Sequence, residues 1–237
     1  MDSKIEQEFP TGIKLITFDL DDTLWPCMPV INQAERVLHG WLLQHAPRLG
    51  EAHSVETLRA HRRLVSEEQP DISHNLTLTR KISLQRLLRE YDYDTVLADE
   101  AVGVFRKMRN QVEPFNDVIP ALRKLRRHYC LIAVTNGNVQ VSETPLAGMF
   151  QHSLTAEMVG AAKPDPTIFH QAMQLAATGP EMTLHVGDDP DTDIEAARNA
   201  GIHTVWVNRY RRHWPRQLPS PVEEYTSLSG LTERLLA

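Results

Sequence analysis

The stretch Phe18-Asp19-Leu20-Asp21-Asp22-Thr23, set at the end of the apolar and β-branched segment 13–18, decides how this chain is read. Segment 13–18 has the composition of a short buried strand, and side chains alternate along a strand. Asp19 and Asp21 are therefore expected to address the same side of its carboxyl end. Two carboxylates converging on one point can divide labour as nucleophile and general acid/base. An Asp-rich turn or helix cap looks the same in isolation. On average composition, a chance D-x-D-x-T arises in roughly one chain of this length in twenty, and less often if an apolar strand must precede it.

Three further segments, 131–135, 184–186 and 203–207, are equally short and rich in apolar or β-branched residues. Helical patterns lie between and after them, at 117–127, 142–149, 166–177, 191–200 and 228–236. Strand and helix in alternation imply an α/β fold with a Rossmann-like parallel sheet and helices on both faces. Ligands of such sheets bind beyond the carboxyl ends of the strands. The first crossover is too long for a single helix: about 110 residues separate the first two strands, where a simple unit takes a few tens. Within it, apolar residues recur at Val30, Ala34, Leu38 and Trp41, then at Leu84, Leu88 and Tyr91, then at Leu97, Ala101, Phe105 and Met108. This is the spacing of amphipathic helices packing on one another. The expected division is a core of residues 1–24 and 113–237 with an α-helical cap over 25–112. The cap leaves the sheet just after Thr23, at a carboxyl strand end, so it is expected to serve as a lid.

Three more motifs sit at the expected strand ends. Thr135-Asn136-Gly137-Asn138 offers a hydroxyl and backbone donors to an anion, although the same residues make a plain turn. Lys163-Pro164 lies in a segment that Pro164 and Pro166 hold out of helix, so Lys163 rides on a rigid loop; a lone Lys is otherwise a solvated charge. Gly187-Asp188-Asp189-Pro190-Asp191-Thr192-Asp193 holds more acids than a helix N-terminus requires. If the two Asp clusters meet at one sheet edge, like charges 4 Å apart cost about 4 kcal/mol per pair at an effective dielectric of 20. With only Lys163 nearby, that arrangement calls for protonation or a bound cation. Carboxylates with water and phosphate are the ligand set of Mg²⁺, which makes the cluster sensible as a phosphoryl-transfer site.

Composition narrows the classes. The 237 residues carry 25 Lys+Arg against 31 Asp+Glu, a formal charge of −6, with 41% hydrophobic residues. This is ordinary for a folded protein, and the acidic balance argues against nucleic acid as a bulk partner. Apolar runs are far short of the ~20 residues of a membrane span, and the start MDSKIEQEFP has no secretory core. Two cysteines, Cys27 and Cys130, suit a cytoplasmic protein without disulfides. The eleven histidines show no ligand-type spacing. The basic stretch 208–216, NRYRRHWPR, is read as a solvated loop, or else as an attractor of anionic substrate.

Four motifs in this order, with a helical insert after the first, resemble the haloacid dehalogenase superfamily in its subclass with an α-helical C1 cap. The resemblance implies that Asp19 is the nucleophile that becomes an aspartyl-phosphate and Asp21 the acid/base. It places Thr135, Asn136 and Lys163 around the phosphate, and Mg²⁺ on the Asp19 carboxylate, the Asp21 backbone carbonyl and Asp188. Asp193, with Asp189 sharing the task, would orient Lys163 or a metal-bound water; Asp22 and Asp191 would be structural. The founding dehalogenases lack the second Asp and need no metal, so Asp21 favours a small-molecule phosphomonoester as substrate. The runs TFDLDDTLW, VTNGN and HVGDDPDTDIEAARNAG further resemble phosphatases that hydrolyse flavin mononucleotide and the phosphorylated ribitylaminouracil precursor of riboflavin. Sugar-phosphate phosphatases and mutases of the same superfamily are the alternative. A non-catalytic, receiver-like phospho-accepting module is the alternative outside enzymes, opposed by Asp21 and by the insert. Trp25, just past the first motif, is expected to line the substrate cleft and stack on a planar base, or else to anchor the first cap helix.

Overall fold

The protein, described here as a computed structural model, is placed over residues 9–221 and 223–237. Residues 1–8 lie outside the described residues, and with them the start of the expected core segment 1–24 and most of the N-terminal stretch read for a signal.

Strands β1 (Leu15–Phe18), β2 (Cys130–Thr135), β3 (His152–Thr155), β4 (Thr183–Gly187), β5 (His203–Val207) and β6 (Glu224–Tyr225) form one parallel sheet in the order β3-β2-β1-β4-β5-β6. The register pairs Phe18 with Ala133 on one side and with Val186 on the other, so the ends of β1, β2 and β4 reach the same edge. The chain builds outward from β1 through β2 and β3, then returns to β1's other side with β4. That reversal opens a crevice at the carboxyl end of β1.

Five helices fill the long interval: α1 (Cys27–His45), α2 (Pro47–Ala52), α3 (Val55–Glu68), α4 (Leu76–Glu90) and α5 (Leu97–Arg109). Ser54 and Asn75 cap α3 and α4 by accepting from the amides of Thr57 and Leu78 at 3.3 and 2.8 Å. Leu38, Leu42, Leu84, Leu88, Ala101 and Phe105 form an apolar cluster of the helices' own. Beside it Glu35, only 4% exposed, accepts from Arg59 and Arg80, and the Arg80 guanidinium lies 3.5 Å from the centre of the Phe105 ring.

The remaining helices, α6 (Val118–Leu125), α7 (Ala156–Val159), α8 (Thr167–Leu175), α9 (Ala196–Asn199) and α10 (Leu228–Leu236), pack around the sheet. Alternation along β1 and β2 divides the core in two. Ile16, Phe18, Leu131 and Ala133 join the cluster under α6 and α10, whereas Leu15, Ile132 and Val134 join the one under α8 and α9. No helix among the described residues is long and apolar enough to cross a membrane.

Three expectations need correction. The helix expected at 142–149 is only a 3₁₀ turn at Val141–Glu143 followed by further turns, because Pro145 lacks an amide donor and Gly148 sits at φ 74°. The helix expected at 191–200 starts as a π-type turn at Pro190–Glu195 before α9. The four strands read from the sequence become six, with β3 and β6 added at the edges of the sheet.

Candidate active site

Asp19 follows directly on β1, its amide donating to the Val186 carbonyl at 2.9 Å. The strand has already ended, so alternation is not what places Asp21. A tight loop does: the Asp22 amide donates to the Trp25 carbonyl at 2.7 Å, and Asp22 takes φ 58°, a left-handed conformation that Asp tolerates. Asp22 Oδ1 accepts from the Cys27 amide at the start of α1 and from the Tyr210 hydroxyl.

Lys163 is 3% exposed, and its Nζ donates to Asp19 Oδ1 at 2.7 Å, to Asp193 Oδ1 at 2.6 Å and to the Val134 carbonyl at 3.2 Å. Its loop is held by Asn136, which donates to the Lys163 carbonyl and accepts from the Lys163 amide. Both ends of the Asn136 side-chain amide are therefore engaged, and it positions Lys163, its expected neighbour around the phosphate. Thr135 is buried, with its Oγ1 accepting from the Gly137 amide at 2.9 Å. A Cβ on Gly137 would lie 2.8 Å from Asp21 Oδ2 and 3.2 Å from Thr135 Oγ1, so these two groups converge where only glycine fits.

Asp188 and Asp193 come from the loop after β4. Asp193 Oδ2 accepts from the amides of Asp188 and Asp189 at 3.1 and 3.0 Å, which leaves neither of its oxygens without a partner. The Asp189 carboxylate caps the following turn, its Oδ1 accepting from the amides of Asp191 and Thr192 and from the Thr192 hydroxyl, while its own amide supports Asp193. Carboxylate oxygens of Asp19, Asp188 and Asp193 lie within 4.8 Å of one another. The Thr23 hydroxyl bridges Asp19 Oδ2 at 3.3 Å and Asp188 Oδ1 at 3.2 Å. One hydroxyl carries one hydrogen, so it satisfies only one of these oxygens at a time. The pair is rich in acceptors and short of donors, as a hard divalent cation requires.

Burial pushes the Asp19 carboxyl well above its usual range, against the pull of Lys163, with Asp193 and Asp188 adding to the rise. Burial and then Asp193 push Asp188 up to about 7, although Arg212 opposes them. Burial would raise Asp193 too, but Lys163 and His185 outweigh it and hold that carboxyl well below the ordinary range. Burial would lower the Lys163 ammonium, yet Asp19 and Asp193 hold it above its ordinary value. His185, buried with Nδ1 2.9 Å from the Thr17 hydroxyl and Nε2 3.4 Å from Asp193 Oδ1, is lowered by burial.

Lys163 is not the only cation, contrary to expectation. Arg109, the last residue of α5, donates from Nη2 to Asp21 Oδ2. Arg212 donates at 2.7 Å to both Asp188 Oδ2 and the Asp188 carbonyl. Arg209 grips Asp117 through Nη1 at 2.9 and 2.8 Å and donates to the Thr23 carbonyl at 3.0 Å. The stretch 208–216 is thus partly a bracket for the site rather than a solvated loop. Trp25 is likewise corrected: it is fully buried in the sheet's apolar cluster, offers solvent no face for stacking, and donates from Nε1 to Asp21 Oδ1 at 2.9 Å.

Residues 13–201 match the family model described as haloacid dehalogenase-like hydrolase. The 5-amino-6-(5-phospho-D-ribitylamino)uracil phosphatase YigB of Escherichia coli is 30% identical over 203 residues, covering 84% of this chain and 85% of that one. A glyceraldehyde 3-phosphate phosphatase of Methanopyrus kandleri is 30% identical over 207 residues, covering 83% and 84%. Among solved structures, a 2-haloacid dehalogenase from Pseudomonas syringae superposes with a TM-score of 0.88 at 39% identity, covering 94% of this chain and 98% of that one.

Proposed function

The chain belongs to the haloacid dehalogenase-like hydrolases, and on that footing we propose that it is a Mg²⁺-dependent phosphomonoester hydrolase working through an aspartyl-phosphate. The observation that carries this reading is the second acid, Asp21, with its Oδ2 beside Thr135 and Gly137. A halide leaves without a proton, but an alkoxide does not, so a proton-carrying group at that place fits a phosphate ester.

In the proposed reaction an Asp19 oxygen attacks phosphorus and the bond from phosphorus to the alcohol oxygen breaks. Asp21 gives its proton to the departing alkoxide. Water then attacks phosphorus while Asp21, now a carboxylate, takes a proton from it. The bond between phosphorus and Asp19 breaks, returning the free carboxylate and releasing inorganic phosphate. Lys163 holds Asp19 in place and offsets its charge, while the Thr135 hydroxyl receives a phosphoryl oxygen. The Asp19 and Asp188 carboxylates, with the Asp21 carbonyl, would hold Mg²⁺, which when bound supplies positive charge to the phosphoryl oxygens. Asp193 is a supporting acid, because Lys163 and two amides already occupy it. Helices α1–α5 act as the lid that keeps water from the first step. One contact ties them to the loop after β2, Asn138 Nδ2 donating to Thr77 Oγ1 at 3.2 Å.

Within phosphomonoesters the reading extends to flavin mononucleotide and ribitylaminouracil phosphate, supported by the likeness to YigB. The likeness to the glyceraldehyde 3-phosphate phosphatase supports a sugar-phosphate substrate as the alternative. A 2-haloacid dehalogenase is the second reading, favoured by the 39% identity to the Pseudomonas syringae protein and opposed by Asp21. The test is a panel of these phosphates, p-nitrophenyl phosphate and a 2-chloro acid, each with Mg²⁺ and with EDTA. Phosphate release with Mg²⁺, silenced by EDTA and lost in Asp19→Asn, is the expected result. Chloride release without metal, or turnover retained in Asp19→Asn, would overturn the reading.

A further inference from the structure

We propose that Arg109 is a positioning residue for leaving-group protonation, holding the Asp21 carboxyl at the angle from which its proton is delivered. This rests on the phosphomonoesterase reading and extends it to a residue from the lid's last helix. Arg109 is 1% exposed and Nη2 donates to Asp21 Oδ2, while the Trp25 indole donates to Oδ1. A carboxylate has about four lone-pair sites, so two donors, one on each oxygen, fix its plane and still leave a site on each oxygen for the transferring proton.

The guanidinium belongs to the reaction locus. A Cβ on Gly137 would lie 3.0 Å from Arg109 Nη2, close to the same spot approached by Asp21 Oδ2 and Thr135 Oγ1. The end of α5 is also fixed to the chain that follows Thr135 and Gly137. The next residue, Asn110, donates to Glu143 Oε2 at 2.8 Å and accepts from the Gln140 amide at 2.9 Å. The C-terminal end of α5, and Arg109 with it, is therefore tied to the loop after β2 as well as to the lid.

Stability is a poor account of this arginine. Its Nη1 is buried without a hydrogen-bond partner among the described residues, and Asp21, with its side chain 21% exposed, does not need a buried cation for solvation. A buried ion pair with an unsatisfied arm is commonly no more stabilising than an apolar side chain of similar size. What the charge does supply is a directed donor on the acid/base.

The experiment compares single-turnover release of the leaving group from glycerol phosphate and from p-nitrophenyl phosphate, in wild type, Arg109→Met, Arg109→Lys and Trp25→Phe. An alkoxide needs the Asp21 proton and p-nitrophenolate does not. In Arg109→Met the glycerol phosphate rate should fall at least tenfold further than the p-nitrophenyl phosphate rate, part of the ~10²–10⁴-fold that general acid catalysis contributes. Arg109→Lys should recover part of that difference, and the thermal midpoint of Arg109→Met should stay within a few degrees of wild type. Should Arg109→Met not fold, Trp25→Phe, which removes the other donor and keeps an apolar ring, carries the same comparison. Equal losses on both substrates would overturn the positioning role. Failure of the wild type on both substrates would instead sink the phosphomonoesterase reading and this role with it.

Discussion

Replacing Asp188 with Asn should stabilise the metal-free protein above neutral pH while removing its response to Mg²⁺. Asp188 is 7% exposed, and burial followed by the Asp193 carboxylate raises it from 3.8 to about 7. Between those two values the folded protein keeps a proton that the unfolded chain has lost. A group raised in this way costs nothing below pH 4, and stability then falls as pH rises, until the full cost is reached above pH 7. Each pH unit of that window is worth about 1.4 kcal/mol, so the roughly three units amount to about 4 kcal/mol. Asparagine is neutral throughout and keeps one oxygen for Thr23 or Arg212. In EDTA, urea unfolding followed by circular dichroism should find Asp188→Asn more stable than wild type by about 2–4 kcal/mol at pH 8, allowing for some relaxation around the charged form. At pH 4 the two should agree within about 1 kcal/mol. Adding Mg²⁺ at pH 8 should raise the wild type and leave the variant where it was. A variant no more stable than wild type at pH 8, or an advantage that does not grow with pH, would refute the reasoning.

Two further changes test the frame around the site. Glu35→Ala leaves the buried Arg80 and its neighbour Arg59 without their shared carboxylate; urea unfolding should show a loss of about 3–5 kcal/mol, and a loss below 1 kcal/mol would show that the pair is replaceable. Gly187→Ala places a Cβ about 2.5 Å from the Asp193 side chain, which must shift off the amides of Asp188 and Asp189. The variant should lose roughly 1–3 kcal/mol of stability and most of its turnover, and an active, equally stable Gly187→Ala protein would show that Asp193 tolerates displacement.

Much of this fold is legible because β1, β2, β4 and β5 are buried strands of a parallel sheet, and burial on both faces writes an apolar, β-branched signature into sequence. The edge strands carry no such signature. β3 reads HSLT and β6 only EY, and each pairs on one side alone, so local composition does not demand a strand there. The segment 142–149 shows the opposite failure. Its apolar spacing suits a helix, but Pro145 and Gly148 override spacing through backbone geometry, and Leu146 is buried from a turn instead.

The site divides along the same physical line. Acids gathered at strand ends are visible locally, because their density exceeds what caps and solvation require. Of the groups that hold those acids, Lys163 is visible through the prolines that follow it, but the two arginines are not. Arg109 stands 88 positions from Asp21 and looks like one more basic residue in the last turn of a helix, where the helix dipole already accounts for it. Arg212 stands 24 positions from Asp188 in a run whose charge suits a solvent-facing loop equally well. Neither is distinguishable from a surface cation until the loop or helix end is docked. Yet their presence was implied by charge: buried carboxylates within 4.8 Å of one another cannot rest on Lys163 alone. A dense acid cluster in a sequence therefore predicts a number of missing cations more reliably than it predicts their positions. Here two arginines supply part of that number through the protein itself. The acceptor-rich Asp19–Thr23–Asp188 corner, where one hydroxyl hydrogen serves two carboxylates, is left for a proton or, on the proposed reading, for Mg²⁺.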